Sequence, residues 1–408
     1  RSAAMYILSC HCTCSRVSLV AASSPYLRSV RTLRATLDWS HALLSEDEKK
    51  VFRRLGVFVG GFGLELAQQV VADETTDAWD VLDRLVDLVE KSMVVLEPGA
   101  VPRYRLLETA RVYACDQLEL AGEWRAMQAA HARSMLPLFD RRARIARLGL
   151  EPVNQWVQAC VPEVDNLRSA IEWAIDAGER ALALELVNLS AEFMYEAGRY
   201  PECVAWMRRA EPLIDGNTPE LVVARFKFGM ALVGLHGGLD APTRLRLLDE
   251  ALVTLERHPP QVVLVYTLCM RAYVAGICGD LRLARDSLEH VQRIVQQTPA
   301  LAMLRGTTLY IEGMVCRYEG RPQQAFAAYT EAMPYVRQTG DGRTLFYLQN
   351  NIAAVHHEMG HLDEAVDQYR ATLAHLEASP RTDAEMMAFV LHWYAHALTV
   401  QGALDEIG

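Results

Sequence analysis

The chain lacks several features that would settle its class at once. No stretch of about 18 apolar residues occurs among its 408, so a helical membrane span is not expected. Its nine cysteines contain no C-x-x-C pair, which fits a reduced, cytoplasmic protein better than a disulfide framework. No G-x-x-x-x-G-K-[ST] run is present, and without those amides and that lysine the phosphates of a nucleotide have no cradle. G-x-S-x-G and H-E-x-x-H are absent too. Positive charge is not in excess. The formal net charge is -10, which argues against a duplex-binding surface. The expectation is a chain that is no enzyme, holds no cofactor and touches no membrane.

With 51% hydrophobic and 23% charged residues, the composition is that of a soluble folded protein, and the length suits two or three domains or a repeat array. Residues 1–30 read as a disordered or non-native leader. Cys10, His11, Cys12 and Cys14 lie there, but their spacing is poor for tetrahedral zinc, which takes two separated pairs.

Residues 31–125 form the first unit. Thr32–Leu44 carries apolar residues at helical spacing. Ser45 with Glu48 makes a capping box that opens a second helix bearing Val51, Phe52 and Leu55. Gly60, Gly61 and Gly63 suit a tight turn. Leu64–Val71 is a third helix. Ala78–Glu90 is a fourth, with Val81, Leu82, Leu85, Val86 and Val89 as its buried stripe. Met93–Leu96 and Arg103–Leu106 then read as two strands around Glu97-Pro98-Gly99, followed by a helix over Leu107–Leu120. Helices followed by a two-stranded hairpin make a winged helix.

The segments TLRATLDWSHALLSEDEKKVFRRLGVFVGGFGLELA, VLDRLVDLVEKSMVV and RYRLLETARVYACDQLELAGE resemble the winged-helix module of bacterial signal-transduction ATPases of the STAND class. In that family the module follows an NB-ARC-like nucleotide-binding domain and packs on it. The resemblance therefore implies an ATPase domain upstream, lost from this chain, with ATP or ADP bound only there. It also implies no direct DNA contact here. The unit's own charges agree, 12 Lys and Arg against 17 Asp and Glu. In plant and animal relatives a Met-His-Asp motif opens the last helix and meets the nucleotide. Leu106, Leu107 and Glu108 stand at those places, so Glu108 is a weak nucleotide-facing candidate. A glutamate favoured by the helix dipole is the alternative reading.

Residues 126–183 read as a helical connector. It includes the basic run Arg141 to Arg144, a solvated face, and Glu163 to Arg168, which also resembles the same regulators. From 184 to 408 a repeat is legible. Gly198, Gly238, Gly279, Gly320, Gly360 and Gly402 follow one another at 40, 41, 41, 40 and 42 residues, the period of a solenoid of helix pairs. A small residue stands seven before most of these glycines (Ala191, Ala231, Ala272, Gly313, Ala353). A large one stands nine after (Met207, Leu247, Leu288, Tyr329, Tyr369). The pattern resembles tetratricopeptide repeats in a 40-residue variant, breaking off within a sixth unit. In the second unit, Gly237-Gly238 leaves the turn ambiguous by one residue.

The expected fold is mostly α: a small winged helix, then an α-solenoid. The first helices of the pairs should line a concave face, with Tyr310, Arg317, Tyr347, Asn350, Asn351 and His357 as candidate binding residues for a protein or small-molecule effector. His356, His357 and His361 beside Glu358 and Asp363 invite a metal, but a packed or solvated cluster is the better reading. Two functions remain open: the sensor portion of an ATPase-coupled transcriptional regulator, or a plain interaction scaffold.

Overall fold

The structure, a computed structural model, describes residues 25–99, 101–140, 152–377 and 384–402. The cysteine-rich start of the leader and the Arg141–Arg144 run lie outside the described residues. The fold is a small winged helix followed by a helical solenoid.

The winged helix comprises α1 (Pro25–Ala42), α2 (Glu46–Leu55), β1 (Gly61–Phe62), α3 (Leu64–Val71), α4 (Ala78–Glu90), β2 (Val95–Glu97), β3 (Arg103–Arg105) and α5 (Glu108–Leu120). The capping box forms as expected. The Glu48 amide donates to Ser45 Oγ at 3.2 Å and the Ser45 amide to Glu48 Oε2 at 2.7 Å. Asp77 and Asp80 build a second box at the start of α4.

Two details differ from expectation. The sheet has three strands, in the order β1-β3-β2, because Gly61 and Phe62 pair antiparallel with Arg105 and Tyr104. A two-residue strand that begins with glycine shows no alternation, so no periodicity announces it. On α4 the buried residues are Val81, Leu85 and Leu88, at i, i+4 and i+7, while Val86 points to solvent. Val86 lies well round the helix from Val81 at 100° per residue.

α6 (Trp124–Phe139), α7 (Val153–Cys160) and α8 (Val164–Asp176) follow. Five helix pairs come next: α9–α10 (Arg180–Glu196, Tyr200–Ala210), α11–α12 (Glu220–Gly234, Ala241–Leu255), α13–α14 (Val262–Ile277, Leu281–Gln297), α15–α16 (Arg305–Tyr318, Pro322–Thr339) and α17–α18 (Gly342–Glu358, Leu362–Glu377). α19 (Ala384–Gln401) packs on the last pair. One apolar core runs without a break from Leu44 of the winged helix to Val233 in the second pair.

The anchor glycines stop the first helix of each pair. Gly198, Gly279, Gly320 and Gly360 take φ of 68°, 80°, 72° and 80°, the left-handed region where a side chain is strained. The following amide bonds back into the last turn, for example Arg321 N–H to Cys316 O at 2.9 Å. This is the Schellman closure.

The small-to-large pairing is steric. A methyl group on Gly313 would stand 2.2 Å from the Tyr329 ring, and one on Gly229 would stand 2.8 Å from the end of Met207 and 3.2 Å from Ala191. In the second pair the register shifts by one residue. Leu247 is only half-buried, whereas Leu248 and Arg244 are fully buried. Leu239 and Asp240 lie between Gly238 and α12, and Asp240 caps it through the Thr243 amide at 2.7 Å. Helix α12 therefore presents a face one residue later than in its neighbours.

Gly313→Ala is expected to cost about 1–3 kcal/mol through overpacking against Tyr329. Urea denaturation measures it. An unchanged midpoint would contradict the packing just described.

Candidate functional site

The first helices of the pairs are amphipathic twice over: one face packs on neighbouring pairs and the other looks into the concavity. At helical spacing this second face carries Tyr266, Met270 and Tyr273 on α13, Thr307, Tyr310, Met314 and Arg317 on α15, and Arg343, Tyr347 and Asn351 on α17. Tyr195 of α9, Phe228 of α11 and Phe389 of α19 complete a chamber of about 450 Å³. A cleft of this size lined mainly by apolar and aromatic side chains with a few placed polar groups is the usual form of a small-molecule site.

Its polar wall is a chain of hydrogen bonds. Arg317 donates from Nε to Glu358 at 3.0 Å and from Nη1 to Asn351 Oδ1 at 2.6 Å, and Asn351 Nδ2 donates to the Tyr310 hydroxyl at 3.2 Å. Burial works against the Arg317 charge, but Glu358 holds its pKa above the ordinary value. Burial, helped by neighbouring phenols, pushes the hydroxyls of Tyr195 and Tyr310 well up, so both stay neutral.

Arg343 reaches from the fifth pair to the first. Its guanidinium lies 5.4 Å from the Tyr195 ring centroid, 5.3 Å from Tyr200 and 6.0 Å from Tyr347, within cation–π range. Burial again opposes its charge. The three tyrosines and Glu196 raise its pKa. Beside it the Asn154 amide donates to Gly340 O at 3.2 Å, and Gly340, at φ 61°, leaves no space for a side chain against Pro152. The turn before α17 thus meets the start of α7, and α17 itself meets α9 and α10. Behind the wall lies Arg244, 1% exposed, its Nε donating to Ala231 O at 2.8 Å and its Nη2 lying 3.2 Å from Met270 Sδ.

Of the six candidate residues, Tyr310, Arg317, Tyr347 and Asn351 line the chamber. Asn350 is buried in α17 on another face, and the His357 ring packs on His396 at 5.1 Å. His356 packs on Phe326 at 4.9 Å. Among the described residues, no three His, Cys, Asp or Glu side chains converge to hold a metal ion. Glu108, mostly exposed at the start of α5, pairs with Arg111 at 2.8 Å, which lowers its pKa. Sequence reasoning missed Tyr195, Tyr266, Tyr273, Arg343 and Phe389, although Tyr266 and Tyr273 at i, i+7 on α13 were a usable signal.

A second polar cluster joins the winged helix to α8, the helix that leads into the solenoid. Fully buried Asn166 of α8 accepts from the Val59 amide at 2.9 Å and donates to Gly61 O at 3.0 Å and Glu163 at 2.7 Å. Arg103 of β3 donates to the same Glu163 at 2.6 Å and to Gly61 O at 2.7 Å. Beside them His131 of α6 is buried, edge-on to Phe58 at 5.2 Å. Burial pushes its pKa down to about 4, with Asn166 pulling weakly the other way.

Fold and chamber together define a winged-helix, tetratricopeptide-repeat protein. The family profile described as a winged helix-turn-helix domain matches residues 44–119, and that described as a tetratricopeptide repeat matches residues 304–378. The chain is similar to a Mycobacterium tuberculosis protein named "Putative HTH-type transcriptional regulator", at 38% identity over 177 residues, 43% of this chain and 20% of that protein. It is also 42% identical over 123 residues to an uncharacterized protein of the same species, covering 29% of this chain and 31% of that one. The matches thus span a fifth to a third of these relatives' lengths. Among solved structures it resembles a Signal Transduction ATPase with Numerous Domains (STAND) protein with a tetratricopeptide repeat sensor from Pyrococcus horikoshii. That likeness has a TM-score of 0.55 at 16% identity, over 90% of this chain and 50% of that one, and it is a likeness of fold. No helix among the described residues is long and apolar enough to cross a membrane.

His131 sets a pH signature. Its folded pKa of about 4 lies below the ordinary 6.5, so the unfolded chain binds the extra proton in that window. Stability is unaffected by this group above pH 6.5 and falls as pH drops towards 4, by about 3 kcal/mol. His131→Leu should flatten that part of the curve in urea titrations at several pH values. A curve parallel to that of the parent chain would contradict a neutral buried imidazole.

Proposed function

We propose that this chain is the sensor and interaction portion of an ATPase-coupled transcriptional regulator. An effector enters the concave chamber and the winged helix relays its presence to an ATPase domain of the same full-length protein. The observation that carries this reading is the junction: the winged helix and the first repeats share one apolar core, and Asn166, Glu163 and Arg103 clamp the sheet to α8, which packs on α9 of the first pair. A change of curvature in the repeats cannot leave Val59–Phe62 unmoved while those bonds hold, so two arrangements of the array become two arrangements of the winged helix. The mycobacterial relative's name and the STAND neighbour's architecture support the same reading.

The chain itself does no chemistry in this scheme and works in the cytoplasm. It needs ATP or ADP only through the other domain, and it makes no direct contact with DNA. The α4 surface supports the last point, since it carries Asp80, Asp83, Asp87 and Glu90 against Arg84 alone, a field that repels phosphate. A plain scaffold is the alternative, but it leaves the junction without a task.

Calorimetric titration of ATP and of ADP into this chain should give no binding, and stoichiometric tight binding would overturn the division of labour. The relay has its own test. Any ligand found to raise the melting temperature should slow hydrogen exchange at residues 59–62 and 103–105. That slowing should vanish in Asn166→Ala, a change expected to cost about 1–3 kcal/mol by stranding the Val59 amide. Unaltered exchange in the parent chain would contradict the relay.

A further inference from the structure

What kind of molecule fits the chamber is narrowed by three observations, and the answer rests on the sensor reading above. The first is closure. Gly340 lies against Pro152 and accepts the Asn154 amide, while Arg343 is inserted among Tyr195, Tyr200 and Tyr347. An extended peptide needs a groove open at both ends. A space of about 450 Å³ shut along one side by contacts of the fifth pair and the turn before it with the first pair and α7 suits a drug-sized molecule instead.

The second is the wall. Six tyrosines face the space: Tyr195, Tyr266, Tyr273, Tyr310, Tyr318 and Tyr347. Their rings offer flat apolar area and their hydroxyls offer hydrogen bonds at the edges. Met270 and Met314 adapt to irregular shapes between them.

The third is charge. Arg317 is held by Glu358 and Asn351, and Arg343 by aromatic rings. Glu192, Glu196 and Asp341 border the same space. An anion would meet three carboxylates, and a cation would lose its water beside two guanidinium groups. Neither sign is favoured.

We infer that the chamber binds an uncharged, ring-bearing small molecule of drug size, stacked on its tyrosines, and that Arg343 is the latch that keeps the superhelix shut around it.

The test uses the neutral fluorophore N-phenyl-1-naphthylamine with the whole chain. Saturable binding of one probe per chain is expected. Neutral 2-naphthol should displace it at about tenfold lower concentration than 2-naphthoate or 2-naphthylmethylammonium. Thr307→Trp, which fills the chamber, and Arg343→Ala, which removes the latch, should each weaken binding about tenfold or more while circular dichroism stays unchanged. If Thr307→Trp does not fold, Leu232→Trp fills the space from another helix. Absence of saturable binding, equal or better displacement by either charged analogue, displacement by an unstructured ten-residue peptide, or filled variants that bind as well as the parent would overturn the inference. Failure of the sensor reading looks different: the probe binds as described but exchange at residues 59–62 and 103–105 does not change.

Discussion

The steric match between a large side chain and a glycine or alanine on the facing helix is the interaction on which the rest of this molecule depends. The Tyr329 ring takes the space beside Gly313 that a methyl group would need, and Met207 fills the space against Gly229 and Ala191. Such contacts fix how closely successive helices approach, and interiors packed at crystal density resist deviation from that distance. The pitch of the array follows from them, and so does the inward orientation of each first helix. The tyrosine-lined chamber, the contact of the Gly340 turn with α7 and the meeting of α17 with α9 are consequences. Glycine at the end of each first helix serves the same end, since it reverses the chain in one residue and sets the second helix against the first.

The junction with the winged helix is built differently. There, polar groups taken out of water are satisfied in a closed set: Asn166 spends its carbonyl and amide on Val59, Gly61 and Glu163, and Arg103 neutralises Glu163. A network of this kind specifies one arrangement, because any shift leaves a buried donor or acceptor unmet. His131 adds a group that must remain uncharged. Arg244 shows the opposite economy: a buried cation held by a carbonyl and a methionine sulfur, in a pair whose register is shifted by one residue.

Much of this was legible in the residues. The left-handed stops at Gly198, Gly279, Gly320 and Gly360 repeat because backbone sterics demand them, and the Ser45–Glu48 box is a local signal with a local cause. Helices α3 and α4 ended where their patterns ended. What escaped depends on tertiary context. Gly61–Phe62 became a strand because β3 was available to pair with. Val86 was taken for core because its neighbours are apolar, although Leu88 holds the buried angle. Four of the six candidate binding residues face the chamber, but Asn350 turns into the helix packing, one position from Asn351, and His357 meets His396. Arg343 and Tyr195 could not be paired from sequence, since their contact reflects the summed rotation of five helix pairs.

The repeats curve until the turn at Gly340 meets Asn154 of α7. Residue-resolved hydrogen exchange of the whole chain tests it most directly. The Asn154 amide is not bonded within its own helix but to Gly340 O, so its protection reports on that contact alone. Slow exchange at Asn154, comparable to that of the amides inside α7, is the predicted result. Exchange at the rate of an unstructured peptide, with α17 still protected, would mean that the superhelix stands open and would contradict the account.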